Sequence, residues 1–155
     1  MPTACLDTPT GPLRLTEEDG AITRLSWCLG QADLGGPAPT PLLATALNQL
    51  RAYFAGTLRT FDLPLRVAGS DLQRAVCTVM QGIPYGETMT YGDIARRLDR
   101  PAQAIGQACG GNPIPVIIPC HRVLGANGLG GFSGQGGVET KIALLRLEGA
   151  ASLLI

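Results

Sequence analysis

The chain has 155 residues, no formal net charge, and eleven arginines among its twelve basic residues. That length holds one ordinary domain or two small ones with a real apolar core, and the neutral balance carries no broad electrostatic footprint for nucleic acid, neither supporting nor excluding a DNA partner. No apolar run approaches the ~20 residues of a membrane span and no signal-peptide pattern opens the chain, while five irregularly spaced cysteines suit a reducing compartment, so a cytoplasmic protein is expected.

Residues 1 to 30 alternate short apolar runs with turn signals at Thr8-Pro9-Thr10-Gly11-Pro12 and Glu17-Glu18-Asp19-Gly20. Leu13-Arg14-Leu15 and Ile22 to Trp27 read as alternating strands of a small antiparallel sheet. Gly35 to Pro39 is a loop by composition. Thr40 then caps a helix with Pro41 at its first position; Leu43, Leu47, Leu50 and Phe54 fall on one face before Gly56 ends it. Phe61 to Leu65 reads as a further strand, and the small residues Ala68-Gly69-Ser70 mark a boundary. The expected division is a scaffold at 1–69 and a second domain at 70–155.

From Asp71, read as a cap, Leu72, Val76, Val79 and Met80 fit a helical period. Ile83-Pro84-Tyr85-Gly86-Glu87 turns the chain. Thr90 caps a helix over residues 91–98, and another follows Pro101 from Ala102 to Cys109. Two short helices joined by a tight turn have the proportions of a helix-turn-helix. The second has an unusually small surface (Ala102, Ala104, Gly106, Ala108, Gly110), which lets its backbone approach a groove, with Gln103 and Gln107 as polar probes. The fold class expected is therefore α+β: a small antiparallel sheet with a helix, then a mainly helical, winged-helix-like domain.

Chemistry concentrates in Asn112-Pro113-Ile114-Pro115-Val116-Ile117-Ile118-Pro119-Cys120-His121-Arg122-Val123. Val116 to Ile118 are β-branched and favour extended, buried backbone, and Pro119 fixes the turn that follows. The only histidine stands beside Cys120, and Arg122 adds a permanent charge. Such surroundings favour the nucleophilic thiolate. Cys5, Cys28, Cys77 and Cys109 read as packing residues. There is no C-x-x-C pair, so neither a metal nor a cofactor is expected. A Gly-rich stretch from Gly125 to Gly137 suggests a hairpin whose backbone approaches a ligand, and residues 138–147 form a last helix. Glu148 at its end has the carboxylate that the Cys120-His121 pair lacks, since an imidazole that must stay oriented needs an acceptor behind it.

Pro119-Cys120-His121-Arg122, preceded by Gly111-Asn112-Pro113-Ile114-Pro115 and by Tyr85-Gly86-Glu87-Thr88-Met89-Thr90-Tyr91, resembles the O6-alkylguanine-DNA alkyltransferase family. The resemblance covers roughly residues 71 to 149, with weaker matches in Leu6 to Leu13 and Tyr53 to Gly56. It implies irreversible transfer of an alkyl group from O6 of guanine (or O4 of thymine) in double-stranded DNA to Cys120, once per molecule, by a monomer. His121 would take the thiol proton through a water and Glu148 would orient His121. Tyr91 would donate to the departing guanine, and Ser133 would receive O6. Asn112 resembles the family's hinge residue, backbone carbonyls at Cys120 and Val123 would read the exocyclic amine, and Pro115 and Phe132 would line the pocket. The base would be turned out of the duplex. The helix carrying Gln103, Ala104 and Gln107 would lie in the minor groove, with Tyr91 and Arg122 also at the DNA.

The chain departs from the family pattern in places. Gln103 stands where an arginine is common, Cys77 where an aromatic is common, and Phe132 where tyrosine is frequent. The Gly134-Gln135-Gly136-Gly137 stretch carries two extra residues, and the histidines of the zinc site of some relatives are absent. Cys120 separates the chain from related proteins that carry tryptophan there and bind alkylated DNA without repairing it. Two other classes use the same residues. A Cys-His hydrolase requires turnover and an oxyanion hole, and a thiol redox-sensing DNA-binding regulator requires an exposed resolving thiol.

Overall fold

Alternation of apolar and polar residues near the N-terminus builds a three-stranded antiparallel sheet in the order β1 (Thr3–Leu6), β2 (Leu13–Glu18), β3 (Ala21–Trp27). The computed structural model describes residues 1–28, 38–126, 128–130 and 137–150. Phe132 and Ser133, expected in the pocket, lie outside them. Two compact units are present, Met1–Arg66 and Val67–Ile155.

In the first unit, β2 and β3 are joined through Asp19 (φ 49°) and Gly20 (φ 78°). Two successive left-handed residues match the twist of a tight hairpin, which is why an Asp-Gly pair sits there. Ala4, Leu13, Leu15 and Leu25 are buried on one face, against which helix α1 (Pro41–Phe54) packs Leu43, Leu47 and Leu50. Thr40 caps α1, its hydroxyl accepting from the Leu43 amide at 3.1 Å. β1 had no clear signal in the sequence. The strand expected over 61–65 does not form: Leu65 makes one isolated bridge to Ile22, held by Ile22 N–H to Pro64 O (2.8 Å) and Arg66 N–H to Ile22 O (3.0 Å). Pro64 has no amide to continue a ladder.

The second unit opens with α2 (Asp71–Gln81). Its cap is Ser70 rather than Asp71, the serine hydroxyl accepting from Gln73 N–H at 3.1 Å. Asp71 is the first helical residue, where a carboxylate meets the positive end of the helix dipole. Helices α3 (Tyr91–Leu98) and α4 (Ala102–Gly110) follow as a helix-turn-helix pair. A reciprocal Thr90–Asp93 capping box starts α3, and Asp99 ends it in left-handed conformation. Gln73 on α2 reaches across to α4, donating to the Ala108 carbonyl at 2.7 Å. Two short strands, β4 (Met89–Thr90) and β5 (Val123–Leu124), pair in parallel, Met89 with Val123 and Thr90 with Leu124. The last helix, α5, spans Val138–Leu147.

Residues 116–118 are not extended as their β-branching suggested. They form a tight turn with Val116 at φ 72°, closed by Ile118 N–H to Ile114 O at 2.9 Å. Its environment overrides its preference: Val116, Ile117 and Ile118 are buried, and Asn112 staples the turn, its Nδ2 donating to Ile118 O (2.8 Å) while Oδ1 accepts from Ile114 N–H (3.0 Å). A left-handed valine costs of order 1–3 kcal/mol, so it persists only where the surroundings over-determine it.

Candidate active site

The stapled turn leads through Pro119 into a single 3-10 turn, Cys120–Arg122. All three of its residues are buried, Cys120 to 5 % exposure and His121 to 0 %. Helix α5 closes over this turn. Lys141, Leu144, Leu145 and Glu148 are spaced to share one helical face, and all four are buried. The apolar pair packs, and the two charged ends reach the chemistry.

Glu148 meets His121 from behind: imidazole Nε2 lies 2.7 Å from Oε2. A carboxylate acceptor makes Nε2 the protonated nitrogen, so Nδ1 is the basic one. Nδ1 is buried without a hydrogen-bond partner among the described residues. Burial holds His121 below the ordinary histidine range, outweighing the opposite pull of Glu148; the charges of Arg122 and Lys141 push the same way as burial.

Arg122 stands elsewhere than expected. It is 6 % exposed, with Nε donating to Glu148 Oε1 at 2.7 Å, Nη2 to Oε2 at 2.9 Å and Nη1 to the Ile83 carbonyl at 2.6 Å. Its guanidinium also lies 5.8 Å from the Tyr85 ring centre. A charge so enclosed is not a DNA contact; the partner that a lone arginine in sequence cannot reveal is a carboxylate from the far end of the unit.

The expectation of a favoured thiolate is also corrected. Burial pushes the Cys120 thiol up to about 11, although the Asn112 side chain and the charge of Lys141 pull it down. Arg122 is engaged with Glu148. Burial thus favours the neutral forms of both Cys120 and His121, so that nucleophilicity calls for proton transfer at the moment of reaction.

Lys141, the chain's one lysine, was missed. It is fully buried, donates to the Val123 carbonyl at 2.6 Å, and lies 5.8 Å from the Tyr91 ring centre. Burial brings it down to about 8. Its spacing from Glu148, two turns earlier on the same helix, was the available signal.

Tyr91 opens α3, half-buried, and its hydroxyl is raised by burial first and then by Cys109 and Cys120, so it remains a donor. Gly130 (φ 69°) lies against it: a Cβ there would come within 2.8 Å of Tyr91 Cε2 and 3.1 Å of its hydroxyl. Asn112, Pro115 and Val123 are buried around the same turn. On α4, Gln103 and Gln107 are exposed on the side away from buried Ile105 and Cys109, and Ala104, one turn before buried Ala108, is half-exposed. The structure thus brings Cys120, His121, Glu148, Asn112 and Arg122 together, and sets the α4 residues apart on a solvent face. Among the described residues no cluster could hold a metal ion, and no helix is long and apolar enough to cross a membrane.

Known proteins are similar to this chain over nearly its whole length. The family model described as 6-O-methylguanine DNA methyltransferase, ribonuclease-like domain, matches residues 1–67, and that of the DNA binding domain matches residues 71–150. The methylated-DNA–protein-cysteine methyltransferase of Methanosarcina acetivorans is 38% identical over 154 residues, covering 95% of this chain and 97% of that protein. The Mycobacterium tuberculosis protein of the same name is 43% identical over 149 residues, covering 92% and 89%. The crystal structure of Mycobacterium tuberculosis OGT in complex with DNA superposes with a TM-score of 0.82 at 44% identity, covering 96% of this chain and 93% of that one. With both halves of the chain matched and relatives of this identity spanning nearly all of it, the chain belongs to the 6-O-methylguanine DNA methyltransferase family.

Proposed function

We propose that this protein repairs O6-alkylguanine in double-stranded DNA by moving the alkyl group to Cys120, once per molecule, in the cytoplasm. The observation that carries the reading is the buried Cys120–His121–Glu148 arrangement, with His121 Nε2 held 2.7 Å from Glu148 and Nδ1 left as the base. Family membership supports it, as do five cysteines without a disulfide, which suit a reducing compartment.

The chemistry follows from the charges. His121 Nδ1 takes the thiol proton through a water, forming thiolate and imidazolium. Sulfur attacks the alkyl carbon, the carbon–O6 bond breaks, and its electron pair stays on the guanine. Tyr91, kept protonated by burial, donates to the base as that negative charge develops. The imidazolium then gives up its proton to water and the guanine anion takes one up, so that the net result is S-alkylcysteine, neutral guanine and a neutral His121. The product thioether is not a leaving group, so there is no turnover. Residues 70–155 bind DNA and accept the alkyl group, and 1–69 serve as scaffold. Exposed Gln103 and Gln107 and half-exposed Ala104 of α4 enter the minor groove, where small side chains permit close approach. Asn112 fixes the turn that aims the sulfur, while Pro115 and Val123 line the pocket.

Reaction with a duplex oligonucleotide containing O6-methylguanine, followed by peptide mass spectrometry, tests this. One methyl group per protein on Cys120 is expected, and none in Cys120→Ala, with folding and DNA binding retained. A methyl group on Cys5, Cys28, Cys77 or Cys109 instead, or repeated turnover, would sink the assignment.

A further inference from the structure

A glutamate behind a histidine raises a problem that the neighbouring arginine solves. An imidazole paired with a buried carboxylate gains basicity, because the carboxylate stabilises the imidazolium. A His121 already protonated at rest could not take the thiol proton. Here Glu148 is shared: Oε1 accepts from Arg122 Nε at 2.7 Å, and Oε2 accepts from both Arg122 Nη2 at 2.9 Å and His121 Nε2 at 2.7 Å. Arg122 and Glu148 already sum to zero charge, so protonating His121 would place an extra positive charge in a buried site.

We infer that Arg122 is a positioning residue of the alkyl-transfer site, gripping both oxygens of Glu148 so that the carboxylate orients His121 while the guanidinium keeps it neutral and ready to accept the thiol proton. This rests on the alkyl-transfer reading and deepens it. The grip is built from three directions. The 3-10 turn supplies the guanidinium, the end of α5 supplies Glu148, and the loop after α2 supplies the Ile83 carbonyl, 2.6 Å from Nη1. That loop also fixes the end of α5, since the Tyr85 hydroxyl donates to the Leu147 carbonyl at 3.1 Å. Gly86, at φ 82°, lies where a Cβ would approach the Glu148 carbonyl to 3.2 Å. The charged groups acting on His121 are Glu148 and Lys141 from α5 and Arg122 from its own turn; Cys77 from α2, Cys109 from α4 and Tyr91 from α3 act with the adjacent Cys120, and Tyr85 from the loop lies against Arg122. Among the groups acting on His121, Glu148 favours the imidazolium. Arg122 and Lys141 oppose it, in keeping with a histidine held below its ordinary range chiefly by burial.

The chain has one histidine, so one imidazole resonance reports its protonation by NMR in the intact protein. In Arg122→Gln, which keeps a donor but not the charge, the His121 titration midpoint should rise by about one unit, the scale of a nearby charge. The acid limb of the single-turnover rate on free O6-benzylguanine base should rise with it. A free base removes DNA affinity from the measurement. In Arg122→Lys, which keeps a charge without the fork, both shifts should have the same sign and be smaller. If Arg122→Gln does not fold, Arg122→Lys decides. A folded variant whose midpoint and acid limb stay where the wild type has them would overturn the inference and leave Arg122 a packing residue. Failure of the wild type to take an alkyl group on Cys120 at any pH would overturn the alkyl-transfer reading instead, a separate result from the NMR midpoints of unreacted protein.

Discussion

At the scale of single residues, a missing methyl group decides where Tyr91 sits. Gly130 has φ 69° and would bring a Cβ within 2.8 Å of the Tyr91 ring and 3.1 Å of its hydroxyl, so alanine there is strained in the backbone and displaces the ring as well. We expect Gly130→Ala to slow alkyl transfer at least ~10-fold, the loss of one donor to a developing negative charge being worth about that or more. If the effect passes through the tyrosine, adding Gly130→Ala to Tyr91→Phe should slow transfer little further; additive losses in the double-mutant cycle would separate the two. Which residues could be read from sequence follows the same logic of neighbours. Cys120 and His121 are adjacent in the chain, and Glu148 answers a chemical need, so all three were legible. Arg122 was assigned to DNA because the partner of a charge is a tertiary fact. Lys141 carried a usable signal, a lone lysine two turns before Glu148 on a helix whose other residues of that face are leucines.

At the scale of elements, helices were legible because caps and periods are local. Thr40 and Thr90 cap as the sequence indicated, and the capping residue of α2 was misplaced by only one position. The turn at 113–119 was not legible, since valine and isoleucine speak for extension while the Asn112 staple that defeats them depends on Ile114 and Ile118 being brought together. Helix α4 shows what a legible element predicts. Extruding a base costs a few kcal/mol, offset in part by a side chain that enters the vacated stack. Gln103 is exposed on α4, shorter than arginine and neutral, yet able to hydrogen-bond a base edge. Gln103→Arg should therefore raise the single-turnover rate on saturating duplex at fixed salt while hardly changing the rate on free base. An unchanged ratio of the two rates would mean that α4 enters the groove in another register.

For the whole molecule, the buried thiols govern alkaline stability. In the unfolded chain they titrate near 9.0, whereas folding holds Cys120 up to about 11 and Cys109 up to about 12. Above pH 9 the unfolded chain sheds thiol protons that the folded chain keeps, so stability falls as pH rises. Lys141 acts oppositely: brought from 10.5 down to about 8, it binds its proton more tightly when unfolded and adds stability as pH rises through that window. The urea midpoint, measured with reductant present, should climb from pH 8 to about 9 and decline beyond, where two thiols outweigh one amine. Cys109→Ala should flatten the decline; a wild-type midpoint still climbing at pH 10.5 would count against the burial of these thiols. The parallel rung of Met89 with Val123 and Thr90 with Leu124 bears on how such a site comes into being. Helices α3 and α4 depend on near neighbours and can form early, while the rung must close a long loop and the Glu148 pairs must wait for α5, both slow because closure entropy precedes any contact. We therefore expect the reactive centre to be among the last features to assemble, with Cys120 an ordinary thiol that has no prepared base beside it until α5 docks.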